Sequence, residues 1–589
     1  MQILPITTQN LQYLPIIGTT SVSLYWLSMK MLWVIGLWLQ LSSHAIAGSC
    51  HCLPSDDCWP SNAQWERLNT TVEGRLVKVQ PIGAVCHDPT YDSIKCAELR
   101  ANWDDVKTHY ESTSSLMTAY FTGQKCDPFA PRETPCLIGN YNAYTVDATE
   151  VQHITAALKF AKENNIRFVI RNTGHDFWGR SIGNGSLAVR MANFKDNEIL
   201  EWDTPFYKGP AFKLGAGMMG FEAQQTLESH GYVMVSGYCP SVGPAGGYVQ
   251  GGGHSPLSGH FGMAADQTLE YEVITANGDL IKASITENSD LFYALNGGGA
   301  GTWGVVVSMT VRVYPNMHMG GARLFVDPHS ISEDKFWAMV DKFYSLLPEF
   351  TDQGAYVTYA FGPDHFGLFP FSAYNKTSVE VAQMLTPFTD YLLAEGIVPA
   401  LLQYNDAATY SQHVALNFAT SQPTKEWPSG GRLMPRDVLS DPTQRAALVA
   451  TMRRIVGTGA LTSSTAVHPV DRTHSPTALH PAWREAHALV IMTWPWENAA
   501  PALMQQKVEL FAEDLAPRLL AVAPESGSYS NEADIFMRGW QKELYGVHWP
   551  ALLRVKEKYD PEGVFYSAHT PGADKWREDR DGRMCRAEG

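Results

Sequence analysis

Gly237-Tyr238-Cys239-Pro240-Ser241-Val242-Gly243-Pro244-Ala245-Gly246-Gly247-Tyr248-Val249-Gln250-Gly251-Gly252-Gly253-His254 places seven glycines in eighteen positions. A run so poor in side chains does not build a packed strand. It lets backbone N–H groups approach an anionic ligand closely, as phosphate-cradling nests do. A flexible linker is the alternative, but linkers lack large apolar residues, and here aromatic and cysteine side chains interrupt the glycines. A second segment, Asn296-Gly297-Gly298-Gly299-Ala300-Gly301-Thr302-Trp303-Gly304, offers another close-approach loop. Upstream, Gly215-Ala216-Gly217-Met218-Met219-Gly220 matches GxGxxG between a strand-like 211–214 and a helix-like 221–229. That fingerprint also needs an acidic residue about 20 positions later to hold a ribose. Tyr232-Val233-Met234-Val235-Ser236-Gly237 supplies none, so the match is set aside.

Farther upstream, Val151, Ile154, Leu158 and Ala161 recur at helical spacing and predict a helix over 149–164, with a strand at 166–170 after it. The strand runs into Arg171-Asn172-Thr173-Gly174-His175-Asp176-Phe177-Trp178-Gly179-Arg180-Ser181, a loop rich in glycine and hydrogen-bonding side chains; loops at strand ends commonly carry function. Downstream, 269–276 and 280–283 flank Asn277-Gly278, a dipeptide that accepts positive φ at both turn positions, and predict a hairpin. A strand over 304–314 closes at Pro315. Strand candidates at 355–361 and 488–493, with helices at 335–347 and 379–393, predict a second lobe between about Asn316 and about Pro524.

The chain has 589 residues, 45% of them hydrophobic, and 44 Lys+Arg against 60 Asp+Glu give a net charge of −16. This length exceeds a single module, because chains divide into domains of ~50–200 residues. The composition excludes a disordered chain, and the absence of a basic run or a basic balance argues against nucleic acid as a partner. Residues 1–47 contain no Asp or Glu and one basic residue, Lys30, ahead of the apolar run 31–39. With Ala45-Ile46-Ala47 following, this reads as a secretory signal cleaved after Ala47. A membrane anchor over 14–41 is the competing reading, but Lys30 divides it into halves shorter than the ~20 residues a span needs. A complete signal also begins at Met29-Lys30, so Met29 is an alternative start. Seven cysteines crowd 50–136, and Cys239 and Cys585 stand apart, a distribution that suits disulfides in an oxidising compartment. Cys50-His51-Cys52 lacks the spacing of a zinc site. Asn69-Thr70-Thr71 and Asn375-Lys376-Thr377 are acceptor tripeptides for glycosylation.

In Arg171-Asn172-Thr173-Gly174-His175-Asp176, the Cys239 loop, 296–304, Tyr529-Ser530-Asn531-Glu532-Ala533-Asp534, Trp540-Gln541 and Lys558-Tyr559-Asp560-Pro561, the chain resembles the berberine bridge enzyme-like flavoprotein oxidases of the vanillyl-alcohol oxidase superfamily, especially their secreted fungal branch. The resemblance implies an α+β fold: a two-part FAD-binding domain of the PCMH type and a substrate domain whose antiparallel sheet is flanked by helices. It divides the chain into the signal region 1–47, a Cys-rich segment 48–135, the FAD-binding part 136–316, the substrate domain 317–523 and a completing C-terminal segment 524–589.

In relatives with these motifs the loop histidine is bonded to the flavin 8α-methyl carbon and the Cys-Pro cysteine to flavin C6. The resemblance carries those roles to His175 and Cys239, and so implies bicovalent FAD. Removing Cys239 from the nine cysteines leaves eight, an even number for pairing. Read without the family, His175 is a loop histidine bonded to its own backbone and Cys239 a buried apolar thiol, as most free cysteines are; the surrounding motifs reverse that reading. Further cofactor contacts are implied at Arg171, Asn172, Thr173, Gly174, Asp176, Gly179, Arg180, Ser181, Gly237, Val242, Gly243, Gly246, Gly247, Gly251, Gly252, Gly253, His254, Asp266 and Asn531. Tyr529 and Glu532 are the candidates for proton transfer from substrate, although Glu532 could instead pair with a neighbouring arginine. Tyr356, Tyr359, Asp364 and His365 are substrate-lobe alternatives. His254 and His260 lack a third metal ligand, so packing near the flavin is expected and no metal.

The activity expected is a secreted FAD-dependent oxidase that dehydrogenates an alcohol, amine or activated C–H of a small organic molecule, such as a secondary metabolite. O2 is the expected electron acceptor and H2O2 the product. Alternatives are flavin-dependent ring closure or isomerisation, a carbohydrate oxidase, and a non-catalytic flavin carrier. Neither nucleic acid nor, after signal cleavage, a membrane is expected as partner.

Overall fold

Short β-branched runs form the lobe that carries the glycine loops. A computed structural model describes residues 50–123, 125–418, 430–494, 501–579 and 582–587. The expected signal segment 1–47, with both candidate starts, lies outside the described residues. The first sheet contains β1 (Leu76–Lys78), β2 (Tyr144–Asp147), β3 (Phe168–Arg171) and β4 (Leu187–Arg190) in the order β1-β2-β4-β3. β4 pairs in parallel with both β2 and β3. Parallel neighbours need a crossover. Between β2 and β3 that crossover includes α1 (Val151–Glu163), which buries Ile154, Ala157, Leu158 and Ala161 at the spacing read from the sequence. β3 then delivers the chain into the loop 171–181.

The second sheet holds β5 (Asn197–Thr204), β6 (Tyr207–Gly215), β7 (Thr268–Ile274), β8 (Leu280–Ser284) and β9 (Val305–Arg312) in the order β5-β6-β9-β7-β8. All of its pairings are antiparallel. The predicted hairpin forms with Ile274 opposite Leu280, but its turn differs from expectation. The Thr275 amide donates to the Asp279 carbonyl and closes a five-residue loop, in which Gly278 takes φ 86°. Asn277 keeps negative φ, so this is not the two-residue turn the dipeptide suggested. At the GxGxxG segment, a Cβ on Gly217 would approach within 2.9 Å of the Ala192 Cα, so that glycine serves the close approach of two chain segments.

The substrate lobe is built on β10 (Met319–Val326), β11 (Tyr356–Gly362), β12 (His365–Tyr374), β13 (Leu401–Ala407), β14 (Gly430–Pro435), β15 (Leu461–Ala466) and β16 (Ala486–Thr493). They form one antiparallel sheet in the order β13-β10-β12-β11-β15-β16-β14. Helices α2 (Glu333–Asp352), α3 (Ser378–Ala394) and α4 (Pro442–Val456) share a core with one face of this sheet through Phe343, Leu347, Leu385, Phe388, Leu448 and Met452. From the opposite face Tyr356, Leu433, Leu489 and Ile491 join the core of the first lobe. Period-2 alternation along these strands makes this possible, since successive side chains point to opposite faces.

The C-terminal segment returns to the first lobe. Trp178 Nε1 donates to the Ala533 carbonyl, Phe168 and Phe565 form a parallel bridge, and the buried Lys556 ammonium is held by Asp560 and the Thr302 and Phe565 carbonyls. The fold is therefore α+β, with the first lobe completed by chain that precedes and chain that follows the large antiparallel sheet in sequence. Disulfides join Cys52–Cys58, Cys86–Cys96 and Cys126–Cys136, Cys50 and Cys585 are also oxidised, and Cys239 is the free thiol. Among the described residues no helix is long and apolar enough to cross a membrane.

Candidate active site

The loop after β3 is tied into shape by Asp176. Its carboxylate accepts from the Arg180 amide at 2.5 Å and the Trp178 amide at 3.1 Å, and pairs with Arg180 Nε at 2.6 Å. Arg180 lies over the Trp178 ring at 4.9 Å. This knot presents His175 to the glycine-rich loop, where its Nε2 is 2.8 Å from Ser241 Oγ. Cys239 lies beside the same hydroxyl, with Sγ 3.9 Å from Ser241 Oγ. Burial pushes the Cys239 thiol up, opposed by hydrogen bonds from Ser241 and the Val242 amide.

The glycines of the Cys239 loop have a different role from the one their composition suggests. Asn172 donates from Nδ2 to the Ala216 carbonyl at 2.7 Å, and its side chain fills the space that a Cβ on Gly243 or Gly246 would occupy. The Asn531 amide stands likewise against Gly251 and donates to the Gly247 carbonyl at 2.9 Å. Close approach at these three positions is thus to asparagine side chains, which lock three loops together.

Tyr529, Asn531 and Glu532 enter from the C-terminal segment. Tyr529 oxygen accepts from the Gly253 amide at 3.2 Å and from Asn531 Nδ2 at 2.9 Å. Burial, and then the neighbouring Glu532, push its phenol above the ordinary range. Glu532 pairs with no arginine in its described contacts; its carboxylate is 3.3 Å from His254 Nε2. His254 Nδ1 lies 3.0 Å from the hydroxyl of Tyr356 on β11. A carboxylate only accepts, so Nε2 donates to Glu532 and Nδ1 receives the Tyr356 O–H. Of the other substrate-lobe candidates, Tyr359 packs into the helix-side core, Asp364 is exposed beside His329, and His365 lies at the β11–β12 turn.

One cleft, enclosing about 1340 Å³ out to its mouth, is lined by Asn172, Thr173, Gly174, His175, Asp176, Arg180, Ser181, Gly237, Cys239, Val242, Gly243, Gly246, Gly247, His254, Tyr529, Asn531 and Glu532. The remaining expected contacts lie off its wall. Arg171 is fully buried and donates to the His109 carbonyl behind the loop, and Gly179 packs on Phe121. Gly251, Gly252 and Gly253 stand against Asn531, Leu479 and Tyr248, and Asp266 is fully buried in a bidentate pair with Arg484 at 2.7 and 2.9 Å. The structure adds lining residues beyond the expected contacts, among them Phe177, Tyr238 and Gln250 inside the quoted loops, and Ile170, Met191 and Val306 outside them.

The cleft suits a long ligand with both polar and apolar parts. Asn172 Oδ1 and Arg180 Nη1, both in lining residues, are buried without a hydrogen-bond partner, an acceptor and a donor left for a ligand. Ile170, Met191, Ala245 and Val306 give the wall an apolar stretch. The FAD binding domain family matches residues 143–284, and the berberine and berberine-like family matches residues 528–570. The chain is 41% identical to FAD-linked oxidoreductase ZEB1 of Gibberella zeae over 93% of its own length and 97% of that protein. It is 36% identical to the bifunctional decalin synthase calF of Penicillium decumbens, over 92% of this chain and 96% of that one. The solved VAO-type flavoprotein MtVAO615 of Myceliophthora thermophila superposes with a TM-score of 0.87 at 37% identity, covering 92% of this chain and all of that one. A cleft fitted for a flavin nucleotide, domain matches on both chain segments that build it, and relatives alike over nearly their whole length lead to one assignment: the chain belongs to the berberine bridge enzyme-like, VAO-type family of FAD-linked oxidoreductases.

Proposed function

We propose that the protein is an oxidase that removes two hydrogens from an alcohol, amine or activated C–H of a small organic molecule, such as a secondary metabolite, and passes the electrons to O2 as H2O2. The observation that carries this is the convergence of His175, Cys239, Tyr529 and Glu532 on one cleft. FAD held there would supply the two-electron acceptor for a substrate positioned against its ring. His175 and Cys239 would fasten it covalently. Asn172, Arg180 and Asn531 would hold its polar groups. Glu532 takes the substrate proton, with His254 orienting its carboxylate, and Tyr529 stays a phenol that donates a hydrogen bond. The same reading assigns 136–316 and 524–589 to the flavin domain and 317–523 to the substrate domain. A leader at 1–47 and export to the secretory pathway suit a chain with eight oxidised cysteines.

The test is an absorption spectrum of the denatured protein with peptide mass mapping of wild type, His175→Ala and Cys239→Ala. Each variant is expected to lose one bond, and the double variant to release free FAD. Flavin absent from either peptide of the wild type would refute the bicovalent assignment. A second reading, flavin-dependent ring closure, is favoured by the likeness to the decalin synthase. Full conversion of a substrate without O2 consumption would replace the oxidase reading with that one.

A further inference from the structure

We propose that Ser241 is the positioning residue for flavin attachment, and that its one hydroxyl prepares both His175 and Cys239 for bond formation. The inference rests on the bicovalent reading above. Ser241 Oγ lies 2.8 Å from His175 Nε2 and 3.9 Å from Cys239 Sγ, and all three residues belong to loops at the cleft. A serine hydroxyl has one proton to donate and lone pairs to accept with. It can therefore accept from His175 Nε2–H and donate to the Cys239 sulfur at the same time. The first contact fixes the imidazole tautomer whose other nitrogen is the nucleophile. The second gives the sulfur a hydroxyl donor, opposing the burial that pushes the thiol up.

Attachment requires both preparations. At His175 an imidazole N–H and an 8α C–H are exchanged for one N–C bond, and the two hydrogens with their electrons reduce the ring system. At Cys239 an S–H and the C6–H are exchanged for one S–C bond, with the same two-electron reduction. One O2 per bond then accepts two electrons and two protons as H2O2 and restores the oxidised ring. A single hydroxyl touching both nucleophiles couples two reactions that the sequence separates by a long stretch of chain.

The experiment uses the full chain produced in a riboflavin-limited host and then given FAD. Covalent incorporation is followed over time by absorbance after acid denaturation and by mass mapping of the His175 and Cys239 peptides. Ser241→Ala is expected to slow both bonds by at least about tenfold, the order expected from losing a hydrogen bond to a charged group, while Ser241→Thr stays within about threefold of wild type. Formation of either bond at the wild-type rate in Ser241→Ala would overturn the shared role. Should Ser241→Ala fail to hold FAD, alkylation of Cys239 by iodoacetamide in the flavin-free chain decides. Cys239 is the free thiol, so the signal is unambiguous. Alkylation slowed about tenfold supports the thiolate contact, and an unchanged rate overturns it. If wild type itself carries only dissociable FAD, the bicovalent reading fails instead, an outcome distinct from any of these.

Discussion

Replacing Gly246 by Ala tests why the Cys239 loop is rich in glycine. A Cβ at this position would lie 3.2 Å from Asn172 Cγ and 3.3 Å from Asn172 Cβ, closer still to Nδ2. On its other side the amide already packs against Gly243, in the space that a side chain there would fill. The methyl must therefore push Asn172 off the Ala216 carbonyl, to which it donates at 2.7 Å. Overpacking costs about 1–3 kcal/mol and a stranded buried acceptor about 1–3 more, so the variant should lose about 2–6 kcal/mol. Asn172→Ala alone strands the carbonyl but opens the space, a loss of about 1–3 kcal/mol. In the double variant the new methyl enters the vacated volume, so it should be more stable than Gly246→Ala alone. Unfolding of the flavin-loaded protein in guanidinium, followed by tryptophan fluorescence, ranks the three. Additive losses would refute the steric account, because independent sites add and coupled neighbours do not.

Glu532→Gln keeps the shape of the side chain and removes its basicity, and should slow anaerobic bleaching of the flavin by substrate about 10²- to 10⁴-fold with little change in flavin loading. Asp266→Ala leaves Arg484, about a quarter exposed, with only the more distant Asp471 and strands the buried Met263 amide, so it should lower stability by about 1–3 kcal/mol while flavin loading stays unchanged. A shift in flavin loading without a loss of stability would restore Asp266 as a cofactor contact. His413 is fully buried, and burial lowers it from 6.5 to about 4. The unfolded chain binds that proton first, so its contribution is complete above about pH 6.5, declines toward pH 4, and amounts to about 3 kcal/mol. His413→Asn should flatten that acid-side decline in denaturation midpoints measured across pH, and an unchanged slope would exclude His413 as its source.

The motif loops were legible in the sequence because their residue types serve one purpose each. Asp176, Asn172 and Asn531 hydrogen-bond the backbone around them, and His175 and Cys239 stand in loops too rich in glycine for ordinary packing. The glycines were legible only in part, since composition shows where side chains are missing and not what fills the gap: Gly243 and Gly246 line the cleft and also make room for Asn172. Asp266 and Arg171 were indistinguishable from ligand-binding residues for a similar reason. Whether a charged side chain faces a cleft or a buried partner, as Asp266 faces Arg484, depends on a contact 218 positions away. In the substrate lobe two strands were read where seven form, because β10, β12 and β13 contain glycine, proline or polar residues that break the alternation. Their pairing, and not their propensity, makes them strands.

Burial separates the roles of Tyr529 and Glu532. The Tyr529 oxygen already accepts two hydrogen bonds, from Gly253 and Asn531, and its phenol is pushed up, so at neutral pH it has a proton to offer and none to take. Glu532 keeps about a fifth of its side chain exposed in the cleft and accepts from His254. Behind His254 stands Tyr356, whose hydroxyl also bonds Thr465 on β15. The orientation of the Glu532 carboxylate, the proposed proton acceptor, is thus set through a histidine by two strands of the substrate sheet. A carboxylate placed by the flavin loops alone would be indifferent to that sheet. Here, replacing that sheet is expected to change the aim of the carboxylate along with the shape of the cleft.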